Sequence, residues 1–201
     1  MFAIHVEGKG SHAAEPDKGV DTLVVSANIL LALQSIISRN LDPLKAGVVT
    51  VGAIHGGTAA NVIPQTAELR GTVRSLNPEV RDLLERRVGE VAHGIAAAYG
   101  ATARVEYSRD CPITANHARE TEFAVKIASE VAGATKVAAD TPPIMAGEDF
   151  AFMLEARPGN MIFIGNGDTA ACHHPAYDFN DAAIPHGVSY WVRLVVLGMP
   201  A

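Results

Sequence analysis

Cysteine is nearly missing. Cys111 and Cys172 are the two in 201 residues, too few to staple a fold, which points to a reducing compartment. Clustered positive charge is missing as well. Sixteen Lys and Arg stand against 22 Asp and Glu, a formal charge of −6, and no basic patch gathers along the chain. That argues against nucleic acid and against an anionic membrane surface as partners. The most apolar run, residues 20–37, is broken by Asp21, Ser26, Asn28 and Gln34, whereas a membrane-spanning helix wants about 20 nearly uninterrupted apolar residues. Residues 1–10 show no basic start followed by an apolar core, so no secretory leader is read there. Neither an internal repeat nor a low-complexity tract stands out. What is present is 48% hydrophobic and 19% charged residues, apolar enough to bury a core and too apolar for a disordered chain. A soluble, cytoplasmic α/β protein of one or two domains is expected.

The first half alternates with period two. Phe2, Ile4 and Val6 oppose Ala3 and His5. Ala67, Leu69, Gly71 and Val73 oppose Glu68, Arg70, Thr72 and Arg74, and Ala103, Val105 and Tyr107 oppose Thr102, Arg104 and Glu106. This is the pattern of antiparallel strands covered on one side only. Val48–Ile54 reads as a fourth strand, apolar on both faces. One helix follows Asp21, a cap residue, and carries Leu23, Leu30, Leu33 and Ile37. A second opens at Asn77-Pro78-Glu79, a cap followed by proline at the first helical position, and ends at Gly100. The order is βαββαβ: a ferredoxin-like antiparallel sheet with two helices on one face.

Beyond residue 112 the pattern changes. Residues 119–132 read as a helix with Phe123, Ile127 and Val131 on one stripe, and residues 184–197 as a closing helix. Met161–Ile164 is a short continuous apolar run that suits a strand buried on both faces. A lone strand leaves its backbone unpaired. Residues 113–201 are therefore expected either to pack on something absent or to belong to a larger α/β domain whose other strands precede Met1.

Several local motifs carry chemistry. Gly8-Lys9-Gly10-Ser11-His12-Ala13 fits a dinucleotide-binding pattern only superficially, because Glu15-Pro16 interrupts before any helix begins. A tight glycine turn explains it better and leaves His12 at an exposed loop tip. The loop from Gly56 to Pro64 is longer than a hairpin needs and is built of small residues, which allow close approach by a ligand or another chain. Its Asn61 could donate to an oxyanion, though a turn asparagine bonding its own backbone is the simpler reading. Cys172-His173-His174-Pro175 is the densest metal-capable cluster, but adjacent side chains diverge, so one or two of them at most could ligate a single ion. Gly147-Glu148-Asp149-Phe150 places two carboxylates at a helix start, where acids also serve as caps. His5, His55, His93, His117 and His186 lack such company and read as structural.

Taken together, five stretches resemble the two-metal amidohydrolases that include aminoacylases, hippurate hydrolases and indole-acetyl-amino-acid hydrolases. They are Gly8 to Ala14, Gly56 to Pro64, Arg70-Gly71-Thr72-Val73-Arg74, Gly147 to Phe150, and His173-His174-Pro175-Ala176-Tyr177-Asp178-Phe179-Asn180-Asp181. They occur in family order across nearly the whole chain. The resemblance implies a lid and dimerisation domain over residues 1–112 and the C-terminal part of an α/β catalytic domain over residues 113–201. It implies two divalent ions (Zn, Mn, Co or Ni) that activate water against the amide of an N-acyl amino acid. By the same resemblance His12, reaching from the partner subunit's lid, and Asn61 stabilise the oxyanion. His173 ligates one metal, Gly147, Glu148 and Asp149 line or orient the site, and Arg74 meets a substrate carboxylate. A homodimer through the lid is implied, with the strand near Val49 and the helix from Asp21 at the two-fold axis. The family's first catalytic segment, with most metal ligands and the carboxylate base, has no counterpart in these residues: there is no His-x-Asp pair and no Glu-Glu pair. The chain alone is thus expected to be inactive and to hold no metal tightly. The competing reading is a non-catalytic dimerisation or small-molecule-binding module on the same sheet.

Overall fold

The computed structural model describes residues 1–199, which divide into two compact units, residues 1–113 and those from 114 onward.

The first unit is built on β1 (Phe2–Glu7), β2 (Ser11–His12), α1 (Thr22–Ser35), β3 (Gly47–Gly56), β4 (Val62–Ile63), β5 (Thr66–Ser75), α2 (Pro78–Ala98) and β6 (Thr102–Tyr107). Four strands form one sheet in the order β3-β5-β1-β6, every neighbour antiparallel. This is the ferredoxin-like arrangement that the alternation predicts. Phe2, Ile4, Val6, Leu69 and Val73 face inward and share one core with Val25, Ile29 and Leu33 of α1 and Val80, Leu84 and Val88 of α2. Both helices therefore cover the same face. The opposite face carries the polar residues, with Arg70 bonding Glu68 through Nε at 2.8 Å and Arg104 bonding Glu106.

The helix ends follow from their caps. The Asp21 carboxylate accepts from the N–H groups of Leu23 and Val24 at 2.9 and 3.3 Å. Asn77 does the same for Glu79 and Val80 at 2.8 and 3.2 Å, with Pro78 at the first position, where its missing N–H costs nothing. At the far end of α2, Gly100 takes φ +74°. It donates to Ala97 at 3.1 Å while Ala101 donates to Ala96 at 2.9 Å, which satisfies carbonyls the helix leaves open. Residues 22–40 form a helix long and apolar enough to cross a bilayer. Its Val25, Ile29, Leu33 and Ile36 are buried in the core, and Thr22 and Ser26 share that buried side, so it is spent on the sheet.

Three details refine the sequence reading. The inward stripe of α1 runs through Thr22, Val25, Ser26, Ile29 and Leu33, so Leu23 lies outside it and is exposed. Strand β3 is an edge strand, but it is not equally apolar in effect on both sides: Val49 is buried and Val51 packs against the core, while Val48 and Ile54 are exposed. A bulge between Val51 and Ala53 shifts its register on β5.

The second unit holds α3 (Ala118–Ala132), α4 (Phe150–Ala156) and α5 (Ile184–Gly198). A small core joins Ala124, Ile127 and Tyr190, with Phe123, Ala128, Ile162 and Leu194 against it. The expected buried strand at Met161–Ile164 is corrected. The segment forms no strand and pairs with none among the described residues, and Phe163 is 75% exposed. The apolar run is there, but a strand exists only through a ladder. Among the described residues the sole ladder-like contact is the side chain of Asn116, whose amide donates to the Met161 carbonyl and accepts from its N–H, both at 2.8 Å.

Candidate functional site

In the first unit the chain brings His12 and Asn61 together. Strand β2 pairs with β4, Ser11 opposite Ile63 and His12 opposite Val62. One step on, the Ala13 N–H donates to the Asn61 carbonyl at 3.0 Å. Two residues separated by 49 positions in the sequence thus sit on adjoining arms of one short ladder. The His12 ring is oriented by its own loop: Nδ1 accepts from the Ala14 N–H at 3.1 Å. An acceptor Nδ1 places the proton of the neutral ring on Nε2, so Nε2–H is a donor aimed away from the backbone. No group among the described residues holds the Asn61 side-chain amide, and both residues are exposed. The arrangement offers two N–H donors at the surface, able to stabilise a developing negative charge when a substrate excludes water around them.

Arg74 is not brought to this pair. It lies near the end of β5, whereas the ladder joins the other end at Thr66; eight strand residues at about 3.3 Å each put them roughly 26 Å apart. Its side chain is half-buried and donates to the Val73 carbonyl at 3.0 Å.

The residues of the second unit are arranged by caps and turns. Gly147, Glu148 and Asp149 lead into α4, where the Glu148 carboxylate accepts from the Phe150 N–H at 3.2 Å. Asp149 occupies the cap position without a side-chain cap bond, so its carboxylate remains open. His173 is the one non-glycine residue in the left-handed region among those described, at φ +70°. Histidine accepts that conformation reluctantly, and such positions gather at functional sites. The turn around it is held by His174, which donates its N–H to Ala171 at 3.1 Å and accepts at Nδ1 from Ala176 at 3.1 Å. A clamp not visible in the sequence reading steadies the following segment. Asn166 donates to the Asp178 carbonyl at 2.7 Å and accepts from the Asn180 N–H at 2.7 Å; the Asn166-Gly167 pair, a turn signal, was the available clue. A groove of about 580 Å³ in this unit is lined by Ala124, Val131, Ile162, Phe163 and Tyr190.

No three His, Cys, Asp or Glu side chains converge on a metal position among the described residues. A hydrolytic site needs about three protein ligands, so these residues do not by themselves fit a metal centre, and His173 offers one nitrogen.

Comparison with known proteins supplies the class. Residues 1–196 match the model of peptidase family M20/M25/M40, and the chain belongs to that family. It is 33% identical over 195 residues to the hippurate hydrolase of Campylobacter jejuni, covering 97% of this chain and 51% of that protein. To the N-acetyl-L-cysteine deacetylase of Bacillus subtilis it is 38% identical over 184 residues, covering 91% and 43%. A crystal structure of a dinuclear metal-binding M20 peptidase from Bacillus subtilis superposes with a TM-score of 0.71 at 30% identity, covering 98% of this chain and 49% of that one. The chain spans about half the length of these relatives. Its relatives are hydrolases of amide bonds, and the family includes dinuclear metallopeptidases.

Proposed function

We propose that these residues are the lid and the C-terminal catalytic portion of a metal-dependent amidohydrolase that cleaves N-acyl amino acids. The observation that supports this reading is the β2–β4 ladder, which brings the backbones of His12 and Asn61, the two oxyanion donors in this reading, onto adjoining arms. The names of the relatives support the substrate class: hippurate, N-acetylcysteine and N-acetyldiaminopimelate are all N-acyl amino acids. In this reading Arg74 meets the substrate carboxylate, and its distance from His12 within one subunit means that the two serve different sites of a dimer. His173 is one ligand of a two-metal centre (Zn, Mn, Co or Ni), beside Gly147, Glu148 and Asp149. The chain forms a homodimer through the edge strand β3 and α1, whose exposed Val24, Leu31, Val48 and Ile54 supply the apolar contact. Cys111 and Cys172, both free and exposed, suit a reducing cytoplasm. With one histidine to offer a metal, the 201 residues alone are inactive.

A chimera tests the reading: residues 1–196 replace the matching half of the Campylobacter jejuni hippurate hydrolase, and hydrolysis of hippurate and N-acetylcysteine is followed. The chimera should turn over, and His12→Ala or Asn61→Ala should each lower kcat by about 10²–10³, the worth of one preorganised oxyanion donor. Turnover unchanged by both substitutions refutes the assignment. A folded, dimeric chimera without activity favours the non-catalytic module.

A further inference from the structure

We propose that Thr22 is a positioning residue for the His12–Asn61 pair, its buried hydroxyl holding the loop that carries Asn61 against the strand that carries His12; this rests on the donor reading above. Thr22 is 0% exposed and opens α1. Its hydroxyl donates to the Pro64 carbonyl at 2.9 Å. Proline has no N–H, so that carbonyl is the only main-chain group through which residue 64 can be tied. Thr22 is itself fixed, because the Asp21 cap locks the first turn of the helix around it.

The same turn grips the other arm. Val20 accepts from the Lys9 N–H at 3.1 Å and donates back to the Lys9 carbonyl at 2.9 Å, while the Gly8 N–H donates to Gln65 at 2.9 Å. Residues 20–22 therefore hold the approach to His12 on one side and the exit from Asn61 on the other. Leu23 extends the seat: a Cβ on Gly56, where the loop begins, would lie 2.7 Å from its Cδ2. Two strands of two residues each do not hold a register unaided, so the spacing of the two donors depends on this seat. Core packing does not explain the hydroxyl. Valine would fill the same volume, and among the described residues the oxygen has no bond but the one to Pro64.

The test is amide hydrogen exchange on the ¹⁵N-labelled 201-residue chain, read at Ala13, whose N–H spans to Asn61, and at Ile4 and Leu69 in the sheet. Thr22→Val should speed exchange at Ala13 at least tenfold beyond any change at Ile4 and Leu69, and should shift the His12 ring nitrogen resonances. Thr22→Ser should restore both. An equal change at all three amides marks the hydroxyl as merely structural and overturns the proposal, as does a Thr22→Ser chain that behaves like Thr22→Val. Should Thr22→Val not fold, Thr22→Ser against Thr22→Ala isolates the same hydroxyl with the same methyl lost. Full turnover of the chimera with His12→Ala and Asn61→Ala would remove the donor reading and leave this geometric result standing, so the two fail separately.

Discussion

Replacing Gly8 with alanine should loosen the sheet, while the same replacement at Gly94 should tighten it. A Cβ on Gly8 would lie 2.4 Å from the Val20 carbonyl oxygen and 2.9 Å from Thr22 Cγ2. Neither neighbour is the free end of a flexible side chain. The carbonyl is bonded to the Lys9 N–H at 3.1 Å, and Thr22 is buried at the start of α1. The carbonyl must retreat until that bond leaves hydrogen-bonding range. Overpacking of this kind costs about 1–3 kcal/mol, and the lost bond about 1 kcal/mol more. Gly94 lies exposed in α2 with nothing within 4 Å of an added Cβ. Alanine there removes backbone freedom from the unfolded chain and gains about 0.5–1 kcal/mol. Exchange at Ile4 and Leu69, both fully buried in the sheet, reads the outcome. At about 1.4 kcal/mol per decade, a loss of ~3 kcal/mol speeds those amides roughly 100-fold, and Gly94→Ala slows them about two- to fivefold. If Gly8→Ala accelerates Ala13 alone and leaves Ile4 and Leu69 unchanged, the hairpin absorbs the strain and the reasoning is refuted.

The Arg70 and Arg104 hydrogen bonds hold the Glu68 and Glu106 carboxyls below the usual carboxylate range. Their contribution is present above the unfolded value of about 4.3 and fades as pH falls through the lower folded values. Urea midpoints should fall less steeply below about pH 4.5 in a Glu68→Gln, Glu106→Gln chain, and identical slopes would contradict this. Light scattering over a dilution series should show a dimer that Leu31→Glu or Ile54→Glu weakens. Val51 is a poorer probe, since it packs against the core. Persistence of the dimer in both variants would move the interface elsewhere. After dialysis, metal analysis should find well under one ion per chain, and a tight stoichiometric ion lost in His173→Ala would show that Cys172 or His174 recruits ligands beyond those identified.

What the sequence discloses depends on how far each signal reaches. Asp21 and Asn77-Pro78 announce helix starts through contacts two or three residues away, and Phe2, Ile4 and Val6 announce a covered face through simple alternation. Those elements appear as expected, and with them the βαββαβ order. The pairing of β2 with β4 gives no such warning, because two residues carry no period and the partners lie 50 and 52 positions apart. The family resemblance names His12 and Asn61, but only the ladder shows them adjoining. Met161–Ile164 misleads for the opposite reason. An apolar run states an appetite for burial, not that a neighbour is present to satisfy it, and Phe163 remains in solvent. Thr22 is hidden among apolar residues, where its hydroxyl counts as noise until the Pro64 carbonyl is placed above it.

The amide of Asn116 imitates a peptide group closely enough to occupy both main-chain positions of Met161 on one edge of an otherwise unladdered segment. An extended apolar stretch with an open edge is a template for stacking with copies of itself. Here the first rung on that side is already taken by a side chain too short to propagate a second. Asn116 thus acts as a placeholder: its carboxamide fills both main-chain hydrogen-bonding positions of Met161 that a neighbouring strand would otherwise take.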